Sequence, residues 1–285
     1  MKKIVLIGLL FLQMQLIFSQ QAHIIENDDP VVKSDLNSRK GQFFASWGWN
    51  RSSYTASDIH FSGNGYDFTL YDVKSQDKPN PFGIKFFSPA DLTLPATNAK
   101  VGYFFKDNYN VILGYDHMKY VIYQYVDVKI DGEINIGNPT YDGVYNDDTI
   151  NLAYDFLRFE HTDGLNYIFA AVNRFDNFNE LLGIQTDKFQ VNLEEGIDIG
   201  FLYPKTNTRL LGKERHDDFH VSGFGLSAKA GLNLTFYKHF YLQADMKYGY
   251  INMPKIRTTN DKVDNAKQHF GFFEAIYSFG WRFKI

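Results

Sequence analysis

The sequence predicts an all-β protein: a closed, antiparallel, up-and-down transmembrane β-barrel of eight strands, with long extracellular loops. Three observations predict it. Apolar and polar residues alternate with period two over segments of about ten residues, long enough for a tilted strand to cross a bilayer core. Aromatic residues make up 17% of the chain, with 19 Tyr and 27 Phe, far more than soluble domains spend on them. The connections between alternating segments are by turns tight and long.

The first element is not a strand. Lys2 and Lys3 precede an uncharged run from Ile4 to Phe18, and Ser19 supplies a small residue for cleavage, the layout of a secretory signal peptide over 1–19. The run falls short of the roughly 20 residues a spanning helix needs, although a retained anchor helix is the competing reading. Residues 20–40 are polar, contain Pro30 and show no period, so they read as a flexible periplasmic leader. The barrel is expected over 41–285.

Strand one places Phe43, Ala45, Trp47 and Trp49 on one face and Gln42, Ser46, Gly48 and Asn50 on the other. The same alternation sets Ala99, Val101, Tyr103 and Phe105 against Lys100 and Gly102, then Tyr109, Val111, Leu113 and Tyr115 against Asn110, Gly114 and Asp116. In the fourth segment the pattern puts Tyr167, Phe169, Ala171 and Phe175 outward and Arg174 and Asp176 inward. Val191 to Tyr203 follows with Glu195 as a charged intruder at the inner rim, then Phe224 to Phe236, Phe240 to Tyr250, and Phe273 to Ile285. A soluble or periplasmic sandwich or barrel is the alternative, but a sandwich's outer face would need the charges. Here the polar face is rich in Gly, Ser and Asn, which suits a narrow lumen.

Asp107-Asn108 and Tyr237-Lys238-His239 are tight turns, and 177–188 is intermediate. The stretches 53–97, 126–164, 204–217 and 253–268 are long and polar, which places the short set in the periplasm and the long set outside the cell. Within the two longest, Tyr66, Phe68 and Leu70, and Ile150, Leu152 and Tyr154, also alternate. They are expected either as strands continuing above the membrane or as two more staves, giving ten.

The expected lumen charges are Lys100, Arg174, Lys229, Lys247, Arg282 and Lys284 against Asp116, Glu194, Asp198, Asp245 and Glu274. Six against five predicts a filled ion-pair network, because an unpaired buried charge is costly. A pore selective for one sign of charge would be lined by that sign, so a general porin is not expected.

Other function classes find little support. Lys+Arg 29 against Asp+Glu 33 argues against nucleic acid as a partner, and the absence of Cys removes disulfides, thiolate metal sites and Cys catalysis. There is no Walker A, G-x-G-x-x-G, H-E-x-x-H or G-x-S-x-G pattern. No cofactor or metal is expected. Asp142, Asn146, Asp147 and Asp148 could gather calcium but lack EF-hand spacing, so a solvated acidic loop is the plainer reading. Asp116-His117-Met118-Lys119 breaks the outward face of the third strand, as a bulge or a membrane rim would.

The GYDHMKY and FEHTDGLNY stretches, the cut before Gln20 and the closing FGWRFKI resemble the small outer-membrane β-barrel proteins of Gram-negative bacteria, of a Bacteroidota type. Tyr277, Phe279, Trp281 and Phe283 are similar to their C-terminal sorting signal, with Ile285 in place of the usual last aromatic. The resemblance covers about 245 residues from Gly41. It implies the cell outer membrane, with lipid, lipopolysaccharide and an outer-membrane protein as partners, and no settled activity. FEHTDGLNY is also loosely similar to the His-x-Ser stretch of lipid A deacylases. That likeness implies His161 as a general base, with Glu160, Thr162 and Asp163 around it, in an envelope-lipid acyl hydrolase. The family's Ser is Asp163 here, so its nucleophile is missing, and a Thr-Asp-Gly turn capped by its own side chains is the plainer reading of the stretch. The expected function is a structural or binding barrel whose surface loops carry recognition. The acyl hydrolase, or a subunit of a larger outer-membrane complex, is the alternative.

Overall fold

The alternation read from the sequence becomes strands almost throughout a computed structural model that describes residues 38–79, 96–186, 188–213 and 218–285. The expected signal peptide and all but the end of the leader lie outside the described residues. In chain order the strands are β1 (Gln42–Tyr54), β2 (Ser57–Gly63), β3 (Tyr66–Val73), β4 (Ser75–Gln76), β5 (Thr97–Lys106), β6 (Tyr109–Ile122) and β7 (Asp127–Ile134). They continue as β8 (Gly143–Asn151), β9 (Leu157–Asn177), β10 (Phe189–Leu202), β11 (Asn207–Leu210), β12 (Gly223–Phe236), β13 (Phe240–Arg257) and β14 (Asn265–Lys284). Every pairing is antiparallel, and no helix occurs among the described residues.

Hydrogen bonding runs β1, β5, β6, β9, β10, β12, β13, β14 and returns to β1, from Gln42↔Lys284 to Tyr54↔Phe272. The ring is therefore closed on both sides of β1 from Phe43 to Trp49, while Asn50 to Tyr54 pair with β14 alone. The turns β5–β6, β9–β10 and β12–β13 lie at one end. The long connections leave from the other.

These long connections are mostly strand. β1 stops at Tyr54, but β14 extends beyond it, and Asn265 to Gln268 pair with β2 from Ser62 to Ile59. From β2 the sheet continues through β3 and β7 to β8, while β4 pairs with β6 and β11 with β9. Tyr66, Phe68 and Leu70 thus lie in β3, and Ile150 in β8, within an extension outside the ring. The extension is held by a dry core: Phe61 packs on Phe68 at 5.3 Å and edge-on to Phe159 at 5.7 Å, and Phe68 meets Phe156 at 5.8 Å. Tyr120 stacks on Phe270 at 4.9 Å below them. Each of these six rings is essentially inaccessible to solvent. At roughly 25 cal/mol per Å2 of apolar area removed from water, such a cluster is a substantial driving force for closing the mouth of the ring with a folded cap.

Outside the ring the exposed residues are apolar. Leu113 of β6, Ile197 and Ile199 of β10 and Met246 of β13 are each about two-thirds exposed, on staves spread around the ring. At the short-turn end an aromatic girdle follows, in which Phe43 touches Tyr103 at 4.8 Å and Phe283 at 6.1 Å, and Phe189 touches Phe236 at 5.3 Å.

Seven staves present the faces the sequence predicts; β9 presents the opposite one. Tyr167, Phe169, Ala171 and Phe175 are buried inside, while Arg174 is turned outward against Asp176 at 2.6 Å. The error has a physical cause. Ile168, Ala170 and Val172 form an equally apolar face, so period two alone could not choose, and the aromatic face is wanted inside by the lumen cations. Lys247 Nζ sits 3.8 Å from the Phe169 centroid and Arg282 Cζ 4.6 Å from that of Phe175. Lys284, expected inward, is exposed at the end of β14. Glu195 faces outward opposite Arg174, which is itself opposite Tyr109 beside the β5–β6 turn, so it belongs to the rim. The His117–Lys119 break coincides with a register shift between Met118 and Tyr120 in the β6–β9 pairing.

Candidate functional site

Two places collect polar side chains away from bulk water: the lumen of the ring and the junction between ring and cap. In the lumen, alternation brings one residue in two inward, and eight staves leave little room. Lys229 of β12 and Lys247 of β13 are register partners. Like charges placed directly opposite repel, so each must find acids elsewhere. Lys229 Nζ reaches Glu194 Oε2 of neighbouring β10 at 2.9 Å. Lys247 Nζ reaches Asp116 Oδ2 of β6 at 2.6 Å and Asp198 Oδ2 of β10 at 3.2 Å. Lys100 Nζ of β5 reaches Asp245 Oδ2 of β13 at 2.7 Å.

The topology gives these distances their meaning. β6 and β13 are four places apart in the ring whichever way one counts, so the Lys247–Asp116 pair spans its full diameter. A direct 2.6 Å contact across the diameter leaves no passage at that level. Gln243 Nε2 donates to both Asp245 and Glu194, joining the pairs into one network, and Arg282 donates to Asn233 Oδ1 at 3.2 Å nearer the short-turn end. The cavity left among Phe104, Phe175, Asn233, Tyr241 and Arg282 is about 10 Å3, room for at most one water. Arg39, which the sequence reading placed in the leader, closes that end. Its guanidinium donates to Asn192 Oδ1 at 2.9 Å and lies 4.7 Å from the Phe175 centroid.

At the other end the cap rests on β9, where the sequence places its candidate catalytic residues. His161 is fully buried, between Phe159 at 5.1 Å and Tyr120 at 5.6 Å. Its Nδ1 is 2.9 Å from Thr206 Oγ1, and its Nε2 has no hydrogen-bond partner. This part of β9 lies above the apolar belt. Burial first, and the nearby His220 second, push the imidazole down to about 3, so it is neutral at physiological pH.

The strand pleat turns Glu160 and Thr162 to the face opposite His161. Glu160 Oε1 accepts from Arg158 at 2.8 Å and from Asn207 at 2.5 Å, with Lys78 at 3.6 Å from Oε2. Asp163 is half exposed and 3.5 Å from Lys205. The structure brings none of the three to the imidazole. The partner it does supply, Thr206, lies 45 residues away in sequence and had no local signal. His117 is held apart from His161, its Nδ1 at 2.8 Å from Asn166 Oδ1. The acidic stretch near 142–148 satisfies its own turns: Asp142 accepts from Ile136 N at 2.8 Å, Asp148 from Asn146 N at 2.9 Å, and Asp147 pairs with Lys129 at 3.3 Å. Among the described residues no group of three or more His, Asp or Glu is arranged to hold a metal ion.

A further cluster, which the sequence did not single out, ties three cap segments together. Asp264 accepts from Lys213 Nζ at 2.7 Å, Thr259 Oγ1 at 2.7 Å and Asn64 N at 3.2 Å, and Lys213 lies 4.6 Å from the Tyr66 centroid. A Cβ on Gly63 would sit 2.0 Å from the same carboxylate, so only glycine fits there without a shift. Burial alone would push the Asp264 carboxyl up, but the bond and charge of Lys213 and the Thr259 hydroxyl together hold it below the ordinary range. A carboxyl lowered by folding stabilises fully above its unfolded value of about 3.9 and loses that contribution as pH falls towards its folded value. Proteolysis of the cap is therefore expected to accelerate below about pH 4 in the wild type, measured with pepsin, which is active there. Asp264→Asn should open the cap more readily at pH 7 and flatten that dependence; an unchanged pH profile in the variant would assign the acid sensitivity elsewhere.

No protein-family model matches the sequence, and no curated protein matches it. Among solved structures the chain is similar to the outer membrane protein OprG from Pseudomonas aeruginosa, with 11% identity over 88% of this chain and 100% of that one, at a TM-score of 0.40. It is also similar to Ail, the attachment invasion locus protein of Yersinia pestis, with 13% identity over 86% and 99% of the two chains and a TM-score of 0.31. A third likeness is to Neisserial surface protein A, with 11% identity over 82% and 96% and a TM-score of 0.28.

Proposed function

We propose that this chain is an outer-membrane β-barrel that serves as a closed scaffold. It holds a folded cap at the cell surface for recognition and conducts no solutes. A belt of two-thirds-exposed Leu, Ile and Met side chains around a closed ring of antiparallel strands supports the membrane position, because lipid tails solvate such a surface and water does not. In this reading the partners of the belt are outer-membrane lipid and lipopolysaccharide. The chain falls among the small barrels of Gram-negative bacteria, within the Bacteroidota-type set that its stretches resemble.

The Lys247–Asp116 pair across the diameter is the observation that carries the closed-scaffold reading. Charged pairs braced across the lumen and an aromatic core over the mouth leave a solute no route at either level. His161, neutral and sealed between two rings, fits the cap core better than a hydrolytic site that must meet lipid.

Purified protein reconstituted in planar bilayers is expected to give no discrete conductance steps at neutral pH and 1 M KCl. Regular steps at a fixed conductance would overturn the closed lumen. The membrane position is tested separately: the protein should fractionate with outer membranes and migrate differently on a gel before and after boiling, and soluble periplasmic recovery would refute it.

A further inference from the structure

The extension built on β14 ends at β8, which pairs with β7 on one side and with no other strand among the described residues. All of β8 except Ile150 is at least partly open to solvent, with Val144 at 78% exposure. Beyond its last residue two tyrosines stand out from the surface. Tyr125 and Tyr154 are 62% and 53% exposed and pack edge-to-face at 5.1 Å. Tyr125 is held at φ +57°, a conformation that few non-glycine residues adopt. Its N–H donates to Leu152 O at 2.9 Å, and Leu152 N–H donates back to Val126 O at 2.9 Å. The backbone thus pins the loop beside β8 with a large apolar ring facing water, an arrangement whose cost argues for a use.

Charge selects the partner. Residues 123–155 carry seven carboxylates and one lysine. A second copy of this edge would bring acids against acids, and phosphate-bearing surfaces are repelled in the same way. A cation is attracted twice, by the carboxylates and by the tyrosine faces. An open strand edge adds a ladder of main-chain hydrogen bonds that an extended polypeptide can use.

We propose that the β8 edge and the Tyr125–Tyr154 pair form a docking surface for an extended segment of a partner polypeptide, rich in lysine or arginine, that adds to the sheet as a further strand. The proposal deepens the scaffold reading above and rests on the cap facing the cell exterior. Binding to folded, detergent-solubilised protein reports the surface itself, whereas fractionation reports the location, so the two can fail independently.

The probe is a fluorescein-labelled peptide of eight residues alternating Lys and Val, titrated with the full chain and followed by anisotropy. Micromolar binding is expected at low salt, weakened by 0.5 M NaCl, with none for the matching Glu–Val peptide. N-methylation of alternate peptide amides, which removes the ladder without touching the charge, should cost at least tenfold. Tyr125→Ala with Tyr154→Ala should cost about fivefold or more, from two lost cation–π contacts, with heat modifiability retained as the check on folding. The proposal is overturned if the methylated and unmethylated peptides bind equally, if the tyrosine variant binds as the wild type does, or if no binding is seen at 1 mM. It is also overturned if a neutral oligosaccharide such as maltoheptaose displaces the peptide, which would mark the tyrosines as a sugar platform.

Discussion

Lys247→Met is expected to destabilise the folded barrel by about 3–5 kcal/mol, the cost of leaving a buried charge without its partner. Lys247 is 1% exposed and lies within 2.6 Å of Asp116 and 3.2 Å of Asp198, with Glu274 as its register partner on β14. Removing the ammonium leaves these buried acids facing one another without their cation. Unfolding in urea within detergent or lipid, read as loss of the unboiled gel mobility, measures the effect. Adding Asp116→Asn to Lys247→Met should recover part of the loss, since one uncompensated carboxylate is then gone; the coupling between the two sites should exceed about 1 kcal/mol. Strict additivity would mean that the diametric pair does not brace the ring. Glu274→Gln, by contrast, should be tolerated, because the amide keeps the size of this buried side chain and can donate an N–H towards Asp116.

Phe61→Ala should cost about 3–5 kcal/mol by the transfer and cavity terms for a fully buried ring, with the loss falling on the cap and sparing the barrel. Phe61 is central to the aromatic core, touching Phe68 and Phe159, and it lies in β2, which pairs with the ring stave β14 from Asn265 to Gln268. A cap that opens separately from its ring would show faster trypsin cleavage within 123–155 while the heat-modifiable band stays intact. Simultaneous loss of both would show that cap and ring unfold as one cooperative unit.

Much of this was legible in the sequence because a stave in lipid obeys one rule. Where one face is apolar and the other carries Gly, Ser, Asn or charge, as in Phe224–Phe236 or Phe273–Ile285, the period names the residues on each side. The period turns Asp116, Glu194, Asp198, Asp245 and Glu274 inward together with Lys100, Lys229, Lys247 and Arg282, and all nine are buried. The rule fails where both faces are apolar. β9 offers Tyr167, Phe169 and Phe175 on one side and Ile168, Ala170 and Val172 on the other, and only the cations waiting inside decide between them.

The cap was half legible. Tyr66, Phe68 and Leu70 announced a strand, but nothing local says that its neighbour is β2 and that the sheet grows out of β14. The candidate site was the least legible part. His161 carries the same letters whether it faces solvent at a rim or Phe159 and Tyr120 in a core, and its hydrogen-bond partner Thr206 comes from another segment.

Alternation and composition are local properties of a strand, and they alone dictate staves with a greasy outside and a balanced, charged inside. That a lysine and an aspartate 131 residues apart meet across the diameter, and that the long loops fold over the mouth as a sheet, is visible in the folded ring alone. Ring closure and strand register set those distances, and both arise from pairings between segments remote in the chain.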